Sequence, residues 1–219
     1  MAKKKEVAPE EEILVLHEKW VRAAREHLRE IIIVSLVLVF LASLWAFYNY
    51  YQQKRLDEAS LLYARALMVR DVKQKRALLA EVVRKYGNTS AGMEARLSLF
   101  EMDLKNGELE KALEELNQVY RKAKKPLKIF VLLGRGYVEE ERNRLNEARA
   151  AYQEAAEAKI GLEEVAYLDL ARVAELQGNY KEAVNYYQKL IALKPQGLKI
   201  DFIQVKLDEI LEKIGQKSS

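Results

Sequence analysis

Residues 167–195 read YLDLARVAELQGNYKEAVNYYQKLIALKP. Tyr167, Leu170, Ala171 and Ala174 fall on one face of a helix at 3.6 residues per turn. Gly178 supplies the left-handed backbone that a tight turn needs, and Tyr180 opens a second helical pattern. Ala183, Tyr187 and Leu190 share a face of that second helix, and Pro195 cannot continue it. The stretch therefore reads as two antiparallel helices. Its small residues allow close approach, and its large ones reach toward the next element.

The same pattern recurs upstream. KNGELEKAL begins at Lys105, ERNRLNEAR at Glu141 and QGNYKEAV at Gln177. Their alanines, Ala112, Ala148 and Ala183, are spaced by 36 and 35 residues. Leu116, Tyr152 and Tyr187 follow four positions later, and Val119, Ala155 and Leu190 three beyond those. Gly136 supplies the small residue in the middle unit. Such a period, with turn, alanine, aromatic and proline in order, is that of a tetratricopeptide repeat. Helix pairs are expected at 91–106 with 109–123, 126–143 with 145–158, and 163–177 with 180–193. RLDEASLLYARAL, from Arg55, resembles a second repeat helix with Ala59, Tyr63 and Ala66 in phase. LLAEVVRKYG, from Leu78, follows it in a degenerate first unit. Ile200, Ile203, Leu207, Ile210 and Ile214 form a stripe on a last helix that would cover the end of the core.

Composition agrees with helices: nine Gly and three Pro in 219 residues. The absence of cysteine excludes disulfides and thiolate metal sites. Thirty-seven basic and 33 acidic residues are interspersed. They read as solvated helix faces and not as the basic stripe of a nucleic-acid binder.

Near the N-terminus, residues 31–47 read IIIVSLVLVFLASLWAF, and no charge falls between Glu30 and Lys54. With Tyr48, Asn49, Tyr50 and Tyr51 the run is long enough to span a bilayer. Trp45, Tyr48, Tyr50 and Tyr51 mark one interface. The length argues for an uncleaved signal anchor over a cleaved signal peptide. Positive charge does not decide the orientation: Lys19, Arg22, Arg25 and Arg29 precede the run, and Lys54, Arg55, Arg65, Arg70 and Lys73 follow it. A tail with seven basic and seven acidic residues ordinarily stays in the cytoplasm, which places the C-terminal domain on the far side. In that tail Ile13, Leu16, His17, Trp20, Ala24, His27 and Ile31 share a helical face. The stripe fits a helix on a membrane surface or partner, and equally a solvated extension of the span. Lacking Gly and Pro from Pro9 to Gly87, one helix can run through the bilayer, with 52–55 the expected place for a bend.

These readings combine into an all-α chain: a single N-terminal transmembrane helix, then a tetratricopeptide-repeat α-solenoid with a C-terminal capping helix. The expected divisions are a charged cytoplasmic tail with an amphipathic juxtamembrane helix at 1–30, a transmembrane signal anchor at 31–51 and a repeat domain at 52–219. Within the last lie a degenerate unit at 52–90, three repeats at 91–195 and the cap at 198–214.

No constellation for chemistry is found, so no enzymatic activity, cofactor or metal is expected. Gly134-Arg135-Gly136 lacks a third glycine and a preceding strand. Both histidines lie in the tail, ten residues apart, which is not a metal spacing. Glu110 with Glu114, and Glu114 with Gln118, read as a surface face. Asn88-Thr89-Ser90 reads as a turn and helix N-cap. Binding by such domains ordinarily uses the face of the first helices, here Leu97, Glu101, Phe130, Tyr137, Leu168 and Arg172. Phe130 and Tyr137 are either exposed anchors for a partner or packing between repeats.

YGNTSAGMEARLSLFEMDLKNGELEKALEEL, from Tyr86, together with the short tail, the anchor and the RLDEASLLYARAL helix, resembles the YfgM family of bacterial inner-membrane proteins. The resemblance implies an ancillary subunit of the Sec translocon, with its N-terminus cytoplasmic and its tetratricopeptide-like domain periplasmic. The partners it implies are translocon subunits, a membrane-anchored periplasmic prolyl isomerase and unfolded chains. It carries over no catalytic residue. A structural scaffold for another envelope complex, in cytochrome maturation, secretion or division, is the alternative.

Overall fold

A computed structural model describes residues 25–194 and 200–217. The tail stripe from Ile13 to Ala24 and the helix-ending role of Pro195 lie outside the described residues. The chain divides into two compact units, Met1–Arg55 and Leu56–Ser219.

The first unit contains the beginning of helix α1 (Leu28–Met68). Its residues 31–51 are exposed throughout. Twenty-one residues at 1.5 Å each rise about 30 Å, the thickness of a bilayer core. By length and composition this helix can cross a membrane, and none of its apolar window is buried. The backbone is helical through 52–55, with no break at the expected bend.

The second unit takes the end of α1 and then α2 (Val72–Tyr86), α3 (Ser90–Lys105), α4 (Leu109–Lys122), α5 (Leu127–Glu141), α6 (Leu145–Glu157), α7 (Glu163–Leu176), α8 (Tyr180–Ala192) and α9 (Ile200–Lys217). The expected pairs are α3 with α4, α5 with α6, and α7 with α8, each within two residues of its expected bounds. Strict alternation then gives the end of α1 the place of a first helix and α2 that of a second. Leu79 and Val82 of α2 are fully buried, as Leu116 and Val119 of α4 are, each 37 residues before its counterpart. The RLDEASLLYARAL segment is thus a first helix in place, although its alanines match the second-helix pattern.

Local chemistry fixes the helix ends. Asp71 caps α2 by accepting from the Gln74 N–H at 2.7 Å. Thr89 caps α3 by accepting from the Gly92 N–H at 3.1 Å, and its hydroxyl donates to the Tyr86 carbonyl at 2.7 Å. The three turns inside the repeats are built alike. Gly107, Asn143 and Gly178 each take a left-handed backbone, with φ of 72°, 59° and 72°. The next N–H reaches back across the turn, from Glu108 to Asp103, Arg144 to Glu139 and Asn179 to Ala174, at 2.8 Å each time. An asparagine tolerates this conformation better than other side chains, so Asn143 stands where the flanking repeats use glycine.

Packing follows the repeat. Tyr152 is fully buried, and a Cβ added to Gly136 would fall 2.4 Å from its ring. Glycine at that place lets the ring lie directly on the α5 backbone. In the next repeat Tyr187 is buried and Ala171 takes the small-residue position. Both hydroxyls donate back to the first helix of their own pair: Tyr152 to Glu140 at 3.1 Å, and Tyr187 to Glu175 at 2.7 Å. Ile203 and Ile210 of α9 are fully buried against this core, with Leu207 and Ile214 beside them. Ile200, at the start of α9, is exposed.

Candidate functional site

The first helices of the repeats, α3, α5 and α7, carry the six residues expected to bind. They are placed differently from one another. Leu97 of α3 is half-buried and packs against the cluster around Leu116 and Val131. Glu101, one turn on, is exposed and lines a cleft of about 400 Å³ between the end of α1, α2 and α3, with Leu67, Val72, Lys75 and Met102. Phe130 and Tyr137 of α5 lie two turns apart and stand 52% and 42% exposed. Neither is consumed in packing between repeats. Rings left this open by a well-packed helix are available as anchors for another chain. The Tyr137 hydroxyl is held neutral to higher pH than usual, chiefly by the charge of Glu141.

Leu168 and Arg172 of α7 line a second cleft, of about 470 Å³, between α7, α8 and α9. Leu168 is half-buried against the core. The Arg172 guanidinium is already engaged. It forks onto Glu140 of α5, Nε at 2.7 Å and the terminal nitrogen at 2.8 Å, and reaches Asp169 at 2.9 Å. Since Tyr152 donates to the same Glu140, the group is a partly buried network joining two repeats. The Glu140 hydrogen bond raises the Arg172 pKa further, while burial raises that of Asp169 against the pull of Arg172. Arg172 therefore sets the spacing of α5 and α7, and its fork is not free to read a ligand carboxylate.

The second cleft also contains Leu176, Phe202, Lys206 and Lys213, which sequence reasoning did not assign to a site. Leu176 and Phe202 are 58% and 48% exposed. A signal existed: Phe202 lies off the apolar stripe that docks α9, so its ring has no place in the core. The clefts can accept apolar side chains of a partner, with Lys75 and Glu101 at the rim of one and Lys206 at the rim of the other. Lys206 is paired with Glu209 at 2.8 Å, which raises its pKa.

Gln118 donates to Glu114 at 2.6 Å on an exposed surface, as a solvated face would. Among the described residues no group of three or more His, Cys, Asp or Glu side chains could hold a metal ion.

The profile of a tetratricopeptide repeat-like domain matches residues 25–132, and that of a tetratricopeptide repeat matches residues 165–196. Both stretches thus carry the repeat pattern, and the fold is that of a tetratricopeptide-repeat α-solenoid. Two solved structures of one repeat protein share the fold. A crystal structure of a substituted form of a Podosopora anserina putative kinesin light chain with nearly identical TPR-like repeats aligns at 16% identity, over 76% of this chain and 87% of that one, with a TM-score of 0.54. A second crystal structure of that repeat protein aligns at 15% identity over 76% and 88%, also with a TM-score of 0.54. A crystal structure of MamA aligns at 20% identity over 67% and 90%, with a TM-score of 0.49. No curated protein matches the sequence. Tetratricopeptide repeats typically serve as scaffolds that bind other proteins, and they do so without catalysis.

Proposed function

We propose that the chain is a membrane-anchored protein-interaction module whose repeat unit works in the periplasm beside the translocon, binding translocon subunits, a membrane-anchored prolyl isomerase or unfolded chains. The carrying observation is the first-helix face, where Phe130 and Tyr137 stand open between two clefts lined by apolar and charged side chains. An extended surface of separate aromatic and aliphatic sites suits a partner without a fixed shape. The exposed apolar start of α1, closed by Trp45, Tyr48, Tyr50 and Tyr51, supports a membrane anchor; the bacterial inner membrane comes from the family resemblance, and the cytoplasmic N-terminus from that resemblance and the charged tail. The domain divisions 1–30, 31–51 and 52–219 belong to the same reading.

Photo-crosslinkers at Phe130 and Tyr137 of the full chain in cells test the partner. Adducts to translocon subunits or to secretory chains in transit support the proposal. One stable adduct to a single folded envelope protein supports the scaffold alternative instead. Protease added to cells stripped of their outer membrane tests the orientation: digestion of the repeat unit is expected, and protection places it in the cytoplasm.

A further inference from the structure

The chain enters the repeat unit at one end of its helices, and that end is basic. Tyr86, closing α2, donates to Glu58 at 3.1 Å. Lys122, closing α4, donates to the Gly87 carbonyl at 3.5 Å and to the Asn88 side chain. The α2–α3 turn, the α4–α5 turn and the first residues of the unit are thereby gathered together. Segments 84–90 and 120–128 hold seven basic residues and no acidic one. Arg84, Lys85, Arg121, Lys124 and Lys125 are exposed. Lys85 pairs with Glu81, and Arg121 lies 3.7 Å from Glu114. Lys128 sits over the Tyr120 ring at 4.3 Å. Arg84, Lys124 and Lys125 make no ion pair among the described residues. The next turn at this end, 158–162, is not basic: Lys159 stands among Glu157, Glu163 and Glu164. Lys194, in the connection after α8 at this same end, is exposed too, and Asp57 and Glu58 are the acidic residues at the point of entry, so positive charge is concentrated in the two turns nearest that point.

We propose that this end of the repeat unit binds the headgroups of anionic phospholipid. The proposal rests on the reading of α1 as a membrane anchor. Between Tyr51, the last interfacial aromatic, and Leu56, the first residue of the unit, stand Gln52, Gln53, Lys54 and Arg55. Even fully extended, these residues reach about 15–20 Å, so Leu56 itself can lie no farther than that from Tyr51. Attraction of a basic side chain to an anionic surface is short-ranged, falling off over about 8 Å at physiological salt. Two neighbouring turns near the tether are where such charges can act together, each worth about fivefold in the bound-to-free ratio. Charges at the far ends of the same helices could not contribute.

The chain has no cysteine, so single introduced thiols report unambiguously. Ser90 and Asn106 are exposed at opposite ends of α3. Full-length chain carrying S90C or N106C, labelled with a fluorophore, is placed in nanodiscs of phosphatidylcholine with or without phosphatidylglycerol, with a quencher on the headgroups. Quenching at Ser90→Cys that requires phosphatidylglycerol, is absent at Asn106→Cys and is released at about 1 M salt, where the screening length is about 3 Å, is the expected result. R121Q/K124Q/K125Q should shift the bound-to-free ratio by about fivefold for each charge removed. Quenching independent of phosphatidylglycerol, or equal at both positions, overturns the proposal. Failure of the anchor reading would look different: the full chain would leave the discs under alkaline carbonate whatever their lipid charge.

Discussion

The first repeat and the two that follow solve one packing problem in opposite ways. In α5–α6 and α7–α8 a buried tyrosine on the second helix, Tyr152 or Tyr187, lies against a small residue on the first, Gly136 or Ala171. In α3–α4 the bulk changes sides. Leu116 holds the tyrosine's position, and Phe100 stands in register with Gly136 and Ala171. A Cβ at Gly134 would touch both Leu116, at 3.3 Å, and Phe100, at 4.0 Å, so the next helix is shaped to the exchanged pair. The interface is satisfied by total volume and not by residue identity at each place, as packed cores tolerate.

The largest expected effect comes from emptying the tyrosine's site: Tyr152→Ala should cost roughly 3–5 kcal/mol, read from denaturant unfolding of the full chain in detergent. Overfilling comes next. Gly136→Ala should cost about 1–3 kcal/mol, since the added carbon lies within 2.4 Å of the Tyr152 ring. The decisive combination is Gly136→Phe with Tyr152→Leu, which rewrites the second repeat in the manner of the first. Each change alone should destabilise, and the pair should recover part of the combined loss. If the pair loses as much as the sum of its parts, exchange of bulk across the helix pair is not what relates the repeats.

Alkaline titration separates the same regions. Burial raises the Tyr152 and Tyr187 hydroxyls above the usual tyrosine range, and each also donates to a carboxylate. The folded state therefore keeps its protons while the unfolded chain loses them near pH 10. This stability is fully present below about pH 10 and falls above it by about 1.4 kcal/mol per pH unit for each such residue. Circular-dichroism melts of Tyr152→Phe and Tyr187→Phe should show a shallower alkaline loss. Leu116 leaves the first repeat without this dependence at the corresponding place.

The smallest expected effect lies in the turns. Asn143→Gly should change the unfolding free energy by no more than about 0.5–1 kcal/mol, because the left-handed backbone is already tolerated there. Gly178→Ala should destabilise by about 1 kcal/mol. Thermal melts of the two variants check both.

What was legible in the sequence was local and periodic. The spacing of Ala112, Ala148 and Ala183 placed six helices within two residues of their bounds. Thr89 was readable as a cap because its hydroxyl sits just ahead of a helical run. The end of α1 is easily misread because Ala59, Tyr63 and Ala66 copy the second-helix pattern, while its rank in the fold comes from the number of helices between it and α3. The candidate face was legible as a set of first-helix positions, but the surroundings of each residue were not. Phe130 and Tyr137 stand open, but Arg172 is held by Glu140, 32 residues away. No periodicity reports a pairing across that distance. The second cleft was hidden for the same reason, since it needs α7 and α9 side by side.

Several polar contacts between repeats span close to one repeat length. Lys122 reaches Asn88, Tyr120 reaches Glu154, Arg149 reaches Glu182 and Arg172 reaches Glu140, over separations of 32–34 residues. Among the described residues, hydrogen bonds between helices of the repeat unit reach no farther than 35 residues. Each helix pair can close as soon as its neighbour is synthesised, so folding can keep pace with the arrival of the polypeptide, one repeat at a time.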